Sequence, residues 1–205
     1  SIVHGLFTTG RNLGAFSSGT EGFFEHFETP IEMARHELEA TQRMREVGLN
    51  APEPVETFEV DGLGIVVLEY LPDFRTLDEL DEETEADLAP TLFEALRAMH
   101  EHDLLHGDLR AENVLILDEE IYFIDATNVR EDGASDAKAY DVACALGALE
   151  PLIGGKRTVE AALAAYDPDE LLTATRFLDF VNIRPDHDFD AALLKGEIEK
   201  HASSP

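Results

Sequence analysis

The hydrophobic and polar positions of the first part of the chain predict one amphipathic helix. Residues 31–49, IEMARHELEATQRMREVGL, consist mostly of strong helix formers. Pro30 stands immediately before this segment and Gly48 lies at its end, which is the usual placement of these two residues around a helix. We therefore expect a helix over residues 31–49.

Two β-forming segments follow this helix. VETFEV at 55–60 and GIVVLEY at 64–70 are separated by Asp61 and Gly62, a dipeptide typical of tight hairpin turns. The pattern predicts an antiparallel hairpin, and a connector around residues 69–74 follows it.

The character of the chain changes after the connector. The segment TLDELDEETEADLAPTLFEALRAMHEHD begins with acidic residues and continues as an amphipathic helix. Its apolar positions recur at helical spacing: Leu88, Leu92, Leu96 and Met99. After residue 136 the chain is predicted to be mostly helical. We expect an α+β protein in which residues 1–72 form a small strand-rich unit and residues 73–205 form a larger helical unit.

A second predicted hairpin lies inside the helical part. VLIL at 114–117 and IYFI at 121–124 are apolar β-formers on either side of an acidic turn. Asn113 precedes the first strand and Asp125 follows the second. An antiparallel hairpin brings these two residues together although twelve positions separate them.

Asp108 lies five residues before Asn113, on the segment that enters this hairpin. Two carboxylates and an amide are hard oxygen ligands, and one of the carboxylates could act as a base. The set suits Mg²⁺ and a phosphate rather than zinc.

Composition narrows the range of partners. The chain has 15 basic and 44 acidic residues and a net charge of −29, so we expect no binding to bare nucleic acid or to anionic membranes. The acidic residues are spread over the whole chain, which favours a halophile-like protein adapted to a high-salt cytoplasm.

Cys144 is the only cysteine, which excludes an internal disulfide and a cysteine zinc cluster. No apolar run reaches membrane-spanning length and no signal-peptide pattern begins the sequence, so we expect a cytoplasmic protein.

The segment HGDLRAEN, residues 106–113, resembles the catalytic loop of the protein-kinase-like superfamily. In this resemblance Asp108 matches the catalytic base and Asn113 matches a metal ligand. Asp125 in YFIDATN matches the metal-binding aspartate, although Ala126 and Thr127 replace the usual Phe-Gly.

Further segments resemble the same superfamily in the same order. Glu37 matches the helix glutamate of the small lobe, and GIVVLEYLPDF resembles the strand and hinge between the lobes. The resemblance implies that backbone groups of this hinge bind adenine, at Glu69, Tyr70 and Leu71. Asp141 in AYDVACALGAL resembles the aspartate that opens a large-lobe helix and anchors the catalytic loop.

The spacing favours a compact atypical branch of the superfamily. Sixteen positions separate Asp125 from Asp141, too few for the long activation segment of conventional kinases. The chain resembles RIO-type kinases and the small kinase that partners a tRNA-modifying complex. Aminoglycoside phosphotransferases share some of these motifs but usually have a larger helical lobe, whereas 64 residues follow Asp141 here.

The resemblance implies a two-lobed fold with a reduced strand-rich N-lobe and a small helical C-lobe. It also implies that ATP lies between the lobes and that Mg²⁺ bridges its phosphates to Asn113 and Asp125. Asp108 would then orient or deprotonate a hydroxyl of a protein or a small molecule. Arg110 either contacts a phosphate or lies on the surface.

One departure from the superfamily concerns the lysine that holds the α- and β-phosphates. No lysine precedes Lys138 in the sequence. FFEHFETP resembles the strand that carries this lysine and places Glu25 or His26 there, whereas SSGTEG at 17–22 could instead be a phosphate-covering loop. The departure is compatible with a pseudokinase, with a shortened chain, or with an enzyme that recruits another cation.

Several of these residues also have purely structural interpretations. Glu37 could be a solvated helix acid, and Asp141 could be a helix cap as well as an anchor. We interpret His106 as a residue packed under the loop and Cys144 as a small core residue.

Overall fold

The computed structural model describes residues 29–126, 134–184 and 187–203, in which helices and small antiparallel sheets form an α+β fold, as predicted. The helices of the described residues are α1 (Pro30–Glu46), α2 (Glu82–Glu101), α3 (Ala134–Ile153), α4 (Gly155–Ala162), α5 (Pro168–Asn182) and α6 (Ala191–Ala202). The strands are β1 (Pro54–Val60), β2 (Leu63–Leu68), β3 (Arg75–Thr76), β4 (Val114–Leu117) and β5 (Glu120–Phe123).

Helix α1 begins with a capping box. The Thr29 backbone N–H donates to the Glu32 carboxylate at 3.1 Å, and the Glu32 N–H donates to the Thr29 hydroxyl at 3.4 Å. The helix ends at Glu46, three residues before the predicted end, because Gly48 adopts a φ of 87° that an α-helix cannot accommodate. The predicted helix is therefore confirmed with a shorter C-terminus.

The β1–β2 hairpin is also confirmed. Val60 pairs with Leu63 across a two-residue turn, in which Asp61 and Gly62 both have positive φ values of 51° and 80°. Such a turn matches the twist of the two strands it joins. One side of the hairpin packs on α1 through a small apolar cluster: Ala34, Val66 and Leu68.

Gly64 of β2 lies against the start of α1. A Cβ atom at this position would stand 2.1 Å from the carbonyl oxygen of Pro30, a backbone atom that cannot move without shifting the helix. The close approach of β2 to α1 therefore requires glycine at position 64.

We expect Gly64→Ala to lower the free energy of unfolding by about 2–3 kcal/mol, because the added methyl group forces α1 and β2 apart. Gly196→Ala is the matched control, since Gly196 lies in α6 and no atom of another described element lies within 4 Å of the place that the new methyl group would take. The control should be neutral or stabilising by up to about 1 kcal/mol. Denaturant unfolding at fixed salt measures both variants, and equal midpoints for them would contradict the close approach.

The second hairpin, β4–β5, forms a sheet with the short strand β3. Leu117 pairs with Glu120 across Asp118 and Glu119, whose φ values are 52° and 66°. The turn is thus one residue shorter than predicted, and the second strand begins at Glu120 instead of Ile121. Strand β3 pairs with β4 and was not predicted, because two residues are too few to show an alternating pattern.

The main core lies among the helices that follow β2. Leu92, Leu96 and Met99 of α2 are fully buried, as their helical spacing predicts. Met44 near the end of α1 joins the same core, so α1 contacts both the β1–β2 hairpin and the helical part. Cys144 is fully buried, which confirms it as a core residue, and burial raises the pKa of its thiol. The division of the chain between residues 72 and 73 stays a prediction.

No helix in the described parts of the chain combines the length and apolar character needed to cross a membrane.

Candidate active site

Asp141 fixes the backbone of the loop that enters the β4–β5 hairpin. One oxygen of its carboxylate accepts a hydrogen bond from the His106 N–H and the other from the Gly107 N–H, each at 2.7 Å. The side chain is fully buried and stands at the eighth position of α3. The predicted anchoring role is confirmed, whereas the helix-cap interpretation is wrong because the residue lies inside the helix.

Two buried residues support Asp141 from behind. His100 Nε2 lies 3.3 Å from Oδ2 of Asp141, the oxygen that also accepts from the His106 N–H, and His100 Nδ1 lies 3.0 Å from the Tyr166 hydroxyl. A neutral imidazole with its proton on Nε2 satisfies both contacts, because the tyrosine hydroxyl then donates to Nδ1. Burial and the nearby Asp141 charge raise the pKa of Tyr166, which keeps this hydroxyl protonated. No sequence motif pointed to either partner.

His106 lies beneath the loop. Its ring is fully buried and meets the Phe123 ring edge to face, with 5.9 Å between the ring centroids. Burial lowers the pKa of the imidazole, so the ring is neutral at ordinary pH. The structural interpretation of this histidine is confirmed.

Asn113 joins the loop to the hairpin. Its side-chain amide donates a hydrogen bond to the Asp108 carbonyl at 2.9 Å, and its backbone carbonyl accepts one from the Ile124 N–H at 3.1 Å. The second contact closes the open end of the hairpin, as the sequence predicts. The first contact uses the NH₂ group of the side chain, so the side-chain oxygen is the atom available as a metal ligand.

Asp125 follows β5 in a left-handed backbone conformation, with a φ of 59°. Such a conformation is uncommon outside glycine and is found at functional sites. Its Oδ1 atom is buried and accepts no hydrogen bond from the residues that the structure describes. Burial raises the pKa of the carboxyl. A buried carboxylate oxygen of this kind suits a hard cation.

Glu37 reaches the same place from α1. Its side chain is 8% exposed and interacts with the Asp125 carboxyl. The solvated interpretation of Glu37 is therefore wrong, and the residue lies beside the predicted metal ligand.

Asp108 carries an ion pair on each carboxylate oxygen. Arg184 Nη2 lies 2.7 Å from Oδ1, and Arg110 Nε lies 3.2 Å from Oδ2. Arg184 also hydrogen-bonds with the Tyr140 hydroxyl, while Arg110 reaches Glu112 at 2.8 Å. Arg184 stands 76 residues after Asp108 and belongs to no motif, so sequence reasoning could not find it.

The predicted hinge, residues 69–71, lies next to the β4–β5 hairpin, whose open end bears the candidate site. The Glu69 N–H donates to the Glu53 carbonyl at 2.8 Å, so this amide is engaged within the protein. Tyr70 is about half exposed, and Leu71 is buried in an apolar cluster with Leu115 and Ile124. The hinge segment therefore packs directly beside the residue that precedes Asp125.

The side-chain oxygens of Asn113 and Asp125 suit a magnesium ion better than a metal ion that protein ligands enclose completely. Among the described residues, no group of three His, Cys, Asp or Glu side chains is arranged to hold a metal ion. Asn113 and Asp125 offer two oxygen ligands, and Mg²⁺ usually takes one or two protein ligands together with phosphates and water. Glu25, His26 and the segment 17–22 lie outside the residues that the structure describes.

Known proteins similar to this chain include a subunit of a protein complex. The "KEOPS complex subunit Bud32" of Pyrococcus abyssi (strain GE5 / Orsay) is 29% identical over 115 residues, which cover 54% of this chain and 51% of that protein. The chain thus spans about half the length of this curated relative.

The solved structures that align with this chain include a pseudokinase complex and a kinase domain. The complex of Neurospora crassa PAN2 (WD40-CS1) with PAN3 (pseudokinase and C-term) aligns with a TM-score of 0.47 and 16% identity, over 87% of this chain and 51% of that one. The Mycobacterium tuberculosis PknI kinase domain aligns with a TM-score of 0.44 and 17% identity, over 74% of this chain and 80% of that one.

Among family models, the RIO domain matches residues 24–144, which is more than half of the 205 residues. This range contains Glu37, the predicted hinge and the loop and hairpin that bear Asp108, Asn113 and Asp125. The chain belongs to the RIO domain family, an atypical branch of the protein-kinase-like superfamily.

Proposed function

We propose that the chain is an ATP-dependent phosphotransferase of the atypical Ser/Thr protein kinase type. It transfers the γ-phosphate of ATP, with the help of Mg²⁺, to a hydroxyl of a protein or a small molecule. One observation carries the proposal: Asp108 and Asn113 lie on a loop that Asp141 holds by two backbone hydrogen bonds, and Asp125 follows strand β5 at the open end of the hairpin that this loop enters.

The nucleotide site is proposed at the junction of residues 1–72 and 73–205. Adenine would contact the backbone around Tyr70 and Leu71, since the Glu69 N–H already bonds within the protein. Asn113 and Asp125 would hold Mg²⁺, which supplies positive charge to the β- and γ-phosphates. The buried Oδ1 of Asp125 supports this assignment because it is a hard oxygen without a hydrogen-bond donor among the described residues.

The remaining residues supply the base and the fixed charges. Asp108 would accept the proton of the acceptor hydroxyl. It directly follows Gly107, and the hydrogen bond from the Gly107 N–H to Asp141 fixes the backbone at this point. Arg110 and Arg184 place positive charge next to this base. Phosphoryl transfer depends mainly on such positioning and charge stabilisation.

A nucleotide-binding scaffold, or pseudokinase, is the second candidate. It is favoured by the lack of any lysine between residues 1 and 137 of this sequence and by the position of Glu37, which is buried and interacts with the Asp125 carboxyl. The similar Bud32 protein is a subunit of a complex, so assembly with other proteins is part of this second proposal. Slow or undetectable transfer, together with measurable Mg²⁺-dependent ATP binding, would favour the scaffold.

We expect Asp125→Asn to weaken Mg²⁺-dependent ATP binding by at least about 10-fold, because it removes the charge of a direct metal ligand. Isothermal titration with a non-hydrolysable ATP analogue, with and without Mg²⁺, measures the effect. Asp118→Asn is the matched control, since Asp118 is exposed on the turn of the same hairpin. Equal Mg²⁺-dependent affinities of the wild-type protein and Asp125→Asn would contradict the proposed metal site.

A further inference from the structure

The carboxylate of Asp108 is held from both sides by arginine. Arg184 occupies Oδ1 at 2.7 Å and Arg110 approaches Oδ2 at 3.2 Å. A base must offer one oxygen to the hydroxyl that it deprotonates, within about 2.6–3.2 Å. In this arrangement a guanidinium group flanks each oxygen of Asp108, so a hydroxyl that approaches the base meets an arginine beside it.

The two arginines differ in what else holds them. Arg110 follows Asp108 by two residues and also pairs with Glu112 of the same loop. Arg184 comes from the turn after α5 and is 19% exposed. Its second contact is the Tyr140 hydroxyl, a neutral acceptor that keeps the guanidinium in place when its carboxylate partner changes. Arg184 is therefore the cation that can exchange one anion for another.

The net charge of the chain affects which anionic molecules can approach these two arginines. At a net charge of −29 the surface repels an anionic molecule, so an anion can approach only where cations stand. Arg184 and Arg110 stand beside the base. A guanidinium also binds a carboxylate or a phosphate through paired hydrogen bonds.

We infer that Arg184 recognises a negatively charged group next to the acceptor hydroxyl, and that this anion takes the guanidinium from Asp108. The inference rests on the proposed phosphotransferase function and defines its acceptor as an anionic alcohol. Oδ1 of Asp108 then accepts the hydroxyl proton while the hydroxyl oxygen bonds to the γ-phosphorus. The bond from that phosphorus to the bridging oxygen breaks, and ADP leaves with the electron pair.

The source of the anionic alcohol is tested with two pairs of acceptors. The first pair is a serine peptide flanked by aspartates and the same peptide with asparagines. The second pair is glycerol 3-phosphate and glycerol. We expect the wild-type protein to use the anionic member of at least one pair with a kcat/KM about 10-fold higher, because one well-placed charged hydrogen bond is worth that factor.

Variants at Arg184 identify the cause of this preference. Arg184→Gln should lose it, and Arg184→Lys should keep part of it, because lysine retains the charge without the paired donors. Arg157→Gln, which changes an exposed arginine of α4, should behave as the wild-type protein. Thermal unfolding of each variant shows whether the fold is retained. A preference that survives in Arg184→Gln would overturn the inference.

A binding measurement tests the inference without transfer. Binding of the labelled aspartate peptide is measured by fluorescence anisotropy, and glycerol 3-phosphate is tested as a competitor. Both measurements contain Mg²⁺ and a non-hydrolysable ATP analogue. We expect Arg184→Gln to bind the preferred acceptor about 10-fold more weakly than the wild-type protein. Loss of ATP affinity but not ADP affinity in Arg184→Gln would instead assign Arg184 to the γ-phosphate and overturn the inference.

The two proposals fail in different ways. Failure of Mg²⁺-dependent nucleotide binding in the wild-type protein would remove the proposed function. Nucleotide binding without any charge preference among the acceptors would remove the role of Arg184 alone.

Discussion

Replacing Asp141 with alanine should lower the free energy of unfolding by about 3–5 kcal/mol and release the loop that bears Asp108. The carboxylate is fully buried and accepts hydrogen bonds from the His106 and Gly107 amides. Its removal leaves two buried N–H groups without acceptors, and each costs about 1–3 kcal/mol. His100 loses its acceptor as well.

Denaturant unfolding measures the total effect, and hydrogen exchange of the His106 and Gly107 amides measures the local one. Asp136→Ala is the matched control, because Asp136 lies near the start of α3, is exposed and, among the described residues, forms a surface ion pair with Arg176 at 3.7 Å. This control should change the free energy of unfolding by less than about 0.5–1 kcal/mol. An Asp141→Ala protein as stable as the control, with unchanged amide exchange, would show that the anchor is dispensable.

Local pattern was sufficient to predict the elements on which the site is built. β-forming segments and turn residues identified both hairpins, since the Asp61-Gly62 turn and the acidic turn after β4 each span only a few positions. The closing of the second hairpin then follows from geometry, which is why Asn113 and Asp125 could be brought together in advance. Their roles, and those of Asp108 and Glu37, came from resemblance to a family and not from pattern.

The contacts that surround these residues could not be predicted, because they depend on how distant helices pack. Arg184 reaches Asp108 across 76 positions, and Tyr166 reaches His100 across 66. Neither pair has a periodic or local signature. The interaction of Glu37 with Asp125 likewise depends on where α1 lies relative to the residue that follows β5. Sequence reasoning thus named the proposed reacting groups but not the residues that contact them.

The second large effect is expected at the base itself. Asp108→Asn should lower phosphoryl transfer by about 10²–10⁴-fold, because an amide cannot accept the hydroxyl proton. The same variant should leave Mg²⁺-dependent ATP affinity within about twofold, since base and metal ligand act at different steps. Asp125→Asn should show the opposite pattern, with binding lost first.

Transfer is followed with γ-labelled ATP over long incubations, with equilibrium binding measured on the same preparations. Glu112→Gln provides the matched control, because Glu112 stands on the same loop, is exposed and pairs with Arg110 without touching Asp108. Since Asp108→Asn also removes the partner of Arg184, a thermal unfolding curve is needed to separate a lost base from a shifted loop. Equal turnover by Asp108→Asn and the Glu112→Gln control would show that Asp108 is not the base. A wild-type protein that binds Mg²⁺·ATP without transferring phosphate would favour the scaffold function.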